Sequence, residues 1–128
     1  MYLMTIPGKP VSKARPRISK RGFMYTDKKT SDYEKKIKSY AKDICKTPYT
    51  CPVSVHIIFR YKKPKTSKDK GIFKTTRPDL DNLIKSITDA LNGIAYLDDS
   101  QICIIWSCKQ YIPDESNVEI SVKPIVTP

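Results

Sequence analysis

Alternation of apolar and polar side chains predicts several strands along this chain. The clearest is Val53–Tyr61, where apolar residues fill every second position, as in a strand with one buried face. Met1–Ile6 is a short apolar run that ends at a Pro-Gly pair, and it is predicted to be the first strand. Ile102–Trp106 and Val118–Val122 are predicted to be two further strands, with Trp106 in the core.

Helical spacing of apolar residues predicts two main helices. The first has its apolar residues between positions 33 and 44, with lysines on the opposite face, and it ends before Pro48. Its candidate N-caps are Asp27, Thr30 and Ser31. The second extends from about Asp79 to Leu91, where Asn-Gly ends it.

The order of these elements is roughly β-α-β-α-β-β. This order favours an α+β fold with a single mixed β-sheet and two main helices packed on it. The length of 128 residues is about that of one domain, so we expect a single domain over residues 1–128.

The chain is strongly basic, and its charge is unevenly distributed. It has 24 Lys and Arg against 13 Asp and Glu, a formal net charge of +11. Of the basic residues 21 precede Pro78, whereas eight of the acidic residues follow Arg77. Such a balance favours a polyanionic partner, most often nucleic acid, although an anionic membrane surface or simple solubility also produces it.

Two basic segments are the candidate phosphate-binding loops. Residues 9–26 hold six basic residues and no acidic one, with a small hairpin predicted around residues 20–22. Residues 62–77 are basic and rich in helix breakers, and a mobile loop is predicted there, for which a merely solvated surface is an equally good interpretation. Arginine offers phosphate a bidentate fork. The candidate DNA-binding residues are Lys13, Arg15, Arg17, Lys74 and Arg77.

Composition excludes several other classes of protein. With 39% apolar and 29% charged residues the chain has a globular composition, and its apolar runs are too short to span a membrane. No basic n-region or cleavage site is seen at the start, so a cytoplasmic location is expected. The four cysteines form no Cys-x-x-Cys pair and the one histidine, His56, lies in a strand pattern, so the spacing of a zinc site is lacking.

Four aspartates in two tight pairs are the candidate chemistry. Asp79 and Asp81 lie at the start of the second helix, and Asp98 and Asp99 lie in the loop after it. Hard cations such as Mg²⁺ bind one or two carboxylates together with water and phosphate oxygens. Lys85 follows Asp81 by four residues on the same helix face, where it can stabilise charge on a phosphate.

Each of these aspartates also has a purely structural interpretation. Asp79 before a helix is a good N-cap, and Asp81 in the first turn suits the helix dipole. Asp81 and Lys85 are an ordinary i,i+4 pair, and Asp98 with Asp99 is a common polar turn. From spacing alone, a metal site and a set of caps and turns are both open.

The same segment resembles the signature of the RusA family of Holliday junction resolvases. The matching residues are RPDLDNLIK at 77–85, DAL at 89–91 and YLDDSQI at 96–102. The N-terminal GKPVSKARPR at 8–17 and the helix containing Tyr33 are similar to family members as well. The similarity covers nearly the whole chain.

The resemblance implies a set of roles. Asp79, Asp81 and Asp99 would bind a divalent metal, Mg²⁺ with Mn²⁺ as the alternative, and Lys85 would be the required lysine one turn after the second aspartate. Asp98 is the competing choice for the third ligand. In the best-known form an arginine directly precedes the first aspartate, whereas here Pro78 intervenes and Arg77 stands one position earlier.

The expected function is therefore a Mg²⁺-dependent, structure-selective endodeoxyribonuclease. The resemblance implies a homodimer that resolves four-way DNA junctions by paired symmetrical incisions, with no membrane partner. Two alternatives remain open: a non-catalytic basic module that binds nucleic acid, and a nuclease of the same chemistry that acts on forks or flaps.

Overall fold

The computed structural model describes residues 1–14, 17–25 and 27–126. Six strands, two helices and one short 3-10 turn at Asp99–Gln101 follow one another along the chain. Their order is β1 (Tyr2–Pro7), β2 (Arg17–Ile18), β3 (Met24–Tyr25), α1 (Lys28–Ile44), β4 (Val53–Lys62), α2 (Leu80–Leu91), β5 (Ile102–Ile112) and β6 (Asn117–Pro124). No helix in these three ranges is long and apolar enough to cross a bilayer.

One mixed four-stranded sheet carries the fold, in the order β1-β6-β4-β5. β4 pairs in parallel with β5 and antiparallel with β6, which pairs antiparallel with β1. β2 and β3 form a separate small hairpin inside the first basic loop, as predicted. The structure thus confirms an α+β fold with one mixed sheet and two helices.

Both helices begin at an aspartate and lie on the same face of the sheet. Of the three candidate caps for α1, Asp27 is the N-cap, since its side chain accepts a hydrogen bond from the N–H of Lys29 at 3.0 Å. α1 packs on β1 and on α2, and α2 packs on β5. The core between the helices and the sheet contains fully buried side chains such as Ile37, Ile57 and Leu83.

The other face of the sheet has no helix on it among the described residues. His56 lies on this open face, only partly exposed and 5.9 Å from Trp106 between ring centroids. The expectation that Trp106 lies in the core is wrong, because its side chain is 51% exposed. Trp106 shares the open face with His56, on a strand at the edge of the sheet, so no helix of the described residues covers it. β5 also continues six residues beyond its predicted end.

The basic loop of residues 62–77 is irregular, as predicted, but its second half is attached to β5. The carbonyl of Ile72 accepts a hydrogen bond from the N–H of Tyr111 at 2.7 Å, and the N–H of Lys74 donates to the carbonyl of Lys109 at 3.1 Å. An antiparallel bridge joins Phe73 to Gln110. The loop therefore covers the outer edge of the C-terminal half of β5.

Candidate active site and nucleic-acid interface

Asp79 lies at the N-terminus of α2, where helical backbone N–H groups lack partners. Its carbonyl accepts the first hydrogen bond of the helix, from the N–H of Leu83 at 3.2 Å. Its side chain is exposed and makes no capping hydrogen bond. Asp79 therefore has the position of an N-cap, but capping does not engage its carboxylate, which remains open to another ligand.

Asp81 and Lys85 follow on one face of α2, and Lys85 pairs with the carboxylate one turn further on. Lys85 Nζ lies 3.2 Å from Oδ1 of Asp89. Asp81 is exposed, and one of its oxygens accepts a hydrogen bond from the N–H of Asn82 at 2.9 Å. Lys85 thus lies one helical turn from a carboxylate on either side and is paired with the one that follows it.

The two aspartates after α2 have different surroundings. The Asp98 carboxylate accepts a hydrogen bond from the N–H of Ser100 at 3.2 Å. Hydrogen bonding to the Ser100 side chain, and then to this N–H, lowers the pKa of Asp98. The N–H of Asp98 in turn donates to Oε1 of Gln101, completing a capping box. Asp99 is exposed, with no hydrogen bond to its side chain among the described residues. Of the two, Asp99 is the carboxylate left open to a cation.

Gln101 fixes this turn to the rest of the molecule. Its Nε2 donates to the carbonyls of Tyr49 and Cys51, both at 2.9 Å. These carbonyls belong to the segment that leads into β4, so the turn and the sheet are held together. The role of Gln101 was not predicted, because its partners lie about 50 residues away in sequence.

The turn with Asp99 packs against the second half of α2. Tyr96 is buried, and its hydroxyl donates to the carbonyl of Thr88 at 2.8 Å. Burial raises the pKa of Tyr96, and the nearby negative charges of Asp99 and Asp89 raise it further. Asp99 and Asp89 therefore both lie near the same buried phenol.

The three predicted metal ligands are not gathered into one cluster. Across residues 1–14, 17–25 and 27–126, no three His, Cys, Asp or Glu side chains are arranged to hold a metal ion. Carboxylates repel one another unless a cation lies between them. Asp79, Asp81 and Asp99 therefore stay a predicted ligand set, two from the start of α2 and one from the 3-10 turn.

A cleft of about 430 Å³ opens beside Asp79. Its walls come from the N-terminal basic segment, the start of α1 and the start of α2. Lys9, Lys29 and Arg77 supply positive charge, Asp27 and Asp79 supply negative charge, and Asn82 lies in the same lining. Asp81, Lys85 and Asp99 are not among the lining residues. The cleft thus brings one candidate carboxylate together with three cations that suit a phosphate backbone.

Lys109 of β5 supports the segment that leads to Asp79. Its ammonium donates to the carbonyls of Thr76 and Pro78, at 2.8 and 2.9 Å. Burial lowers the pKa of Lys109 and so does the charge of Lys74, whereas Asp79 acts in the opposite direction. Lys109 therefore lies near enough to interact with the charge of Asp79, and its hydrogen bonds hold the segment that directly precedes Asp79.

Lys74 is placed between two aromatic rings. Its Nζ lies 5.2 Å from the ring centroid of Tyr61 and 5.5 Å from that of Tyr111, and it donates to Oγ1 of Thr76 at 2.6 Å. Cation–π contacts hold a lysine without neutralising it. Lys74 thus presents a positive charge at the base of the basic loop.

The remaining predicted DNA contacts differ in their surroundings. Lys13 pairs with Glu34 of α1 and lies 3.4 Å from Oδ2 of Asp89, so its charge is already compensated. Burial acts to lower the pKa of Lys13, but these carboxylates raise it above its ordinary value. Arg17 begins β2, and Arg15 lies outside the described residues.

Glu34 and Lys109 are residues that sequence reasoning missed. Glu34 holds the N-terminal basic segment to α1 through Lys13, and Lys109 holds the start of α2 to the sheet. The role of Glu34 could have been suspected from the sequence, because it is one of only five acidic residues among the many basic ones before Pro78. Lys109 carried none, since its partners are backbone carbonyls about 30 residues distant.

The sequence is similar to a family of known proteins over most of its length. The model of the family described as "Endodeoxyribonuclease RusA" matches residues 7–123. The chain is 33% identical to the uncharacterized protein YqaN of Bacillus subtilis (strain 168), with 94% of each chain covered. It is also 37% identical over 76 residues to a protein of Lactococcus phage r1t named crossover junction endodeoxyribonuclease rusA, covering 58% of this chain and 56% of the relative. Because the family model spans nearly all of the described fold, from the end of β1 to β6, this chain belongs to the RusA family of endodeoxyribonucleases.

Proposed function

We propose that this protein is a Mg²⁺-dependent endodeoxyribonuclease that resolves four-way DNA junctions by paired symmetrical incisions. Membership of the RusA family supports a nuclease, and the name of the phage relative supports a junction substrate. One observation carries the catalytic assignment. The Asp79 carboxylate makes no capping hydrogen bond, although it stands at the start of a helix, and it lies in a cleft lined by Lys9, Lys29 and Arg77.

Asp79, Asp81 and Asp99 are the residues that would hold the metal. All three are exposed carboxylates outside any ion pair of the described chain, and such hard oxygen donors suit Mg²⁺ or Mn²⁺. Asp98 is the weaker choice, since its carboxylate caps the 3-10 turn. When bound, the ion would polarise the scissile phosphodiester and lower the pKa of a water molecule.

The basic residues bind and orient the DNA. Lys9, Lys29 and Arg77 contact phosphates along the cleft, and Lys74 extends this surface toward the basic loop. Lys85, which pairs with Asp89, turns its ammonium group toward the phosphate and stabilises the negative charge that develops there, which lowers the barrier. Lys13 acts indirectly, by holding the N-terminal segment against α1.

Two copies of the chain act together in the cytoplasm on one junction. A four-way junction presents two equivalent strands, and a two-fold homodimer places one active site at each. Simultaneous engagement of both sites makes the incisions symmetrical.

The test is cleavage of a synthetic four-way junction, with and without Mg²⁺, by wild type and by Asp79→Asn. We expect wild type to cleave only with metal. Asp79→Asn should lose cleavage and keep or strengthen junction binding, because it removes a negative charge from a cationic cleft. Asp114→Asn, an exposed aspartate in the turn between β5 and β6, is the matched control and should cleave normally.

Three outcomes would each contradict part of the proposal. Cleavage by Asp79→Asn at the wild-type rate would remove the catalytic assignment. Binding without any cleavage by wild type, in Mg²⁺ and in Mn²⁺, would favour the non-catalytic module. A fork or flap cut faster than the junction at equal concentration would keep the chemistry and change the substrate.

A further inference from the structure

The N-terminal half of β5 is an exposed apolar edge of the sheet. β5 is the last strand in the order β1-β6-β4-β5, so on one side it has no neighbouring strand within residues 1–14, 17–25 and 27–126. Ile104, Ile105 and Trp106 follow one another there and are 51%, 44% and 51% exposed. Three large apolar side chains in a row on an edge strand invite pairing with another chain, and stable proteins normally cover such edges.

The free side of this strand can be deduced from the loop bonded further along it. Tyr111 donates its N–H to the loop and Lys109 offers its carbonyl to the loop, so these odd-numbered residues direct their backbone groups away from β4. β5 runs without a register shift from Ile104 to Ile112. By the alternation of a strand, Ile105 and Ser107 also direct their N–H and C=O outward. No backbone partner for them occurs among the described residues.

The stretch of β5 whose outer side is unpaired, here called the unpaired window, has a definite centre. The 3-10 turn ends at Gln101, and the loop bonds to β5 from Lys109 onward. The uncovered stretch is therefore residues 102–108, and Ile105 is its midpoint. This stretch contains no charged residue, in a chain of net charge +11.

The apolar side chains extend from both faces of the edge. Trp106 contacts His56 on the open face, and Ile104 shares that face because side chains two residues apart do. Ile105 points to the opposite face, beside α2. A ligand lying on one face would contact only part of this set, whereas a strand added to the edge places its side chains beside those of β5 on both faces.

We propose that a second copy of this chain pairs its β5 antiparallel with this β5, centred on Ile105. A two-fold axis there places Ile105 opposite Ile105 of the second copy and Ile104 opposite its Trp106. The two sheets then form one continuous eight-stranded sheet. The uncharged window is where two strongly basic copies meet with least repulsion, and it lacks the cations that DNA requires.

This inference deepens the proposed function, which requires two copies, by naming the surface that joins them. The apolar stripes of α1 and α2 are alternatives that the structure removes. Residues of those stripes such as Ile37, Ile87 and Leu91 are already fully buried within one chain.

Sedimentation velocity without DNA or metal tests the pairing. Wild type should sediment as a dimer, at about twice 14.7 kDa, and Ile105→Asp as a folded monomer by circular dichroism. Leu3→Asp is the matched control, because Leu3 is 53% exposed on β1, the opposite edge of the sheet, and this variant should stay dimeric. A monomeric wild type at the same concentration, or a dimeric Ile105→Asp, would overturn the pairing.

Disulfide crosslinking covers the case in which Ile105→Asp does not fold. In a background with Cys51, Cys103 and Cys108 changed to Ser, Ile105→Cys should oxidise to a covalent dimer. Opposed residues of a hydrogen-bonded antiparallel pair are about 5.5 Å apart between Cα atoms, within disulfide range. Leu3→Cys in the same background should stay monomeric on a non-reducing gel. Crosslinking of Leu3→Cys in place of Ile105→Cys would refute the proposed edge.

These measurements separate the two proposals. A wild-type dimer joined at Ile105 that cuts no DNA would contradict the proposed function and leave the interface standing. A wild type that cleaves junctions as a dimer, and whose Ile105→Asp variant stays dimeric, would overturn the interface and leave the proposed function standing.

Discussion

At the scale of single residues, the candidate site separates aspartates that the sequence presents as equivalent. Asp98 and Asp99 are neighbours with the same side chain, and spacing alone does not rank them. The structure gives Asp98 a capping box with Gln101 and leaves Asp99 exposed, with no hydrogen bond to its side chain from the part of the chain that is described. A carboxylate that already caps a turn loses that hydrogen bond when it binds a metal. Metal binding would therefore cost Asp98 a hydrogen bond that Asp99 does not have to lose.

Paired isosteric substitutions test this difference. Asp99→Asn should lower the rate of junction cleavage by more than the roughly 10- to 100-fold that loss of a mere supporting residue costs. Asp98→Asn should cleave close to the wild-type rate, because the asparagine oxygen still accepts the hydrogen bond from Ser100. Single-turnover cleavage in Mg²⁺ measures both. If Asp98→Asn were the inactive variant, the third ligand would be reassigned to Asp98.

At the scale of elements, the periodicity of apolar residues predicted the helices and strands that local sequence determines. It failed for a strand segment that forms because of its pairing with another strand. The alternation in Val53–Tyr61 gave β4 to within one residue, and the Asp-Leu-Asp-Asn start gave α2. The second half of β5 was missed, because Ser107 to Gln110 breaks the apolar pattern. It is a strand because parallel pairing with β4 supplies its hydrogen bonds, a contact between residues about 50 positions apart.

The link between β5 and α2 gives a prediction about Lys109. Its ammonium is bonded to two carbonyls in the segment before Asp79, so Lys109→Met leaves both without that donor. We expect the free energy of unfolding to fall by about 1–3 kcal/mol, as for the loss of charged hydrogen bonds. Cleavage should slow as well, since Asp79 is no longer held in place. Urea denaturation and single-turnover cleavage measure the two effects.

The control for this substitution is Lys123→Met, an exposed lysine on β6, which should change neither quantity. A Lys109→Met protein of wild-type stability and unchanged cleavage rate would show that the segment before Asp79 holds its position without this lysine. Loss of stability with normal cleavage would limit Lys109 to a structural role.

At the scale of the whole molecule, the sequence predicted the kind of partner better than the surfaces that meet it. The charge of +11 indicated nucleic acid, and the family agrees. The cleft beside Asp79 could not be read from the chain, because residues from positions 9, 29, 77 and 79 meet only in the folded state. The exposure of Trp106 could not be predicted either, since a buried strand and an edge strand have the same alternation of apolar and polar residues.

The distribution of charge over the molecule leads to a prediction about salt. Each lysine that contacts a phosphate of duplex DNA contributes about 0.9 to the slope of log K against log salt concentration. Replacing Lys65, Lys68 and Lys70 of the basic loop by Gln should therefore reduce the slope of junction binding, by up to about 2.7. Replacing the exposed Lys35, Lys42 and Lys46, in α1 and just after it, removes the same net charge far from the loop in sequence and should leave the slope nearly unchanged. Equal effects of the two triple variants, measured by fluorescence anisotropy across a salt titration, would mean that net charge rather than the loop determines binding.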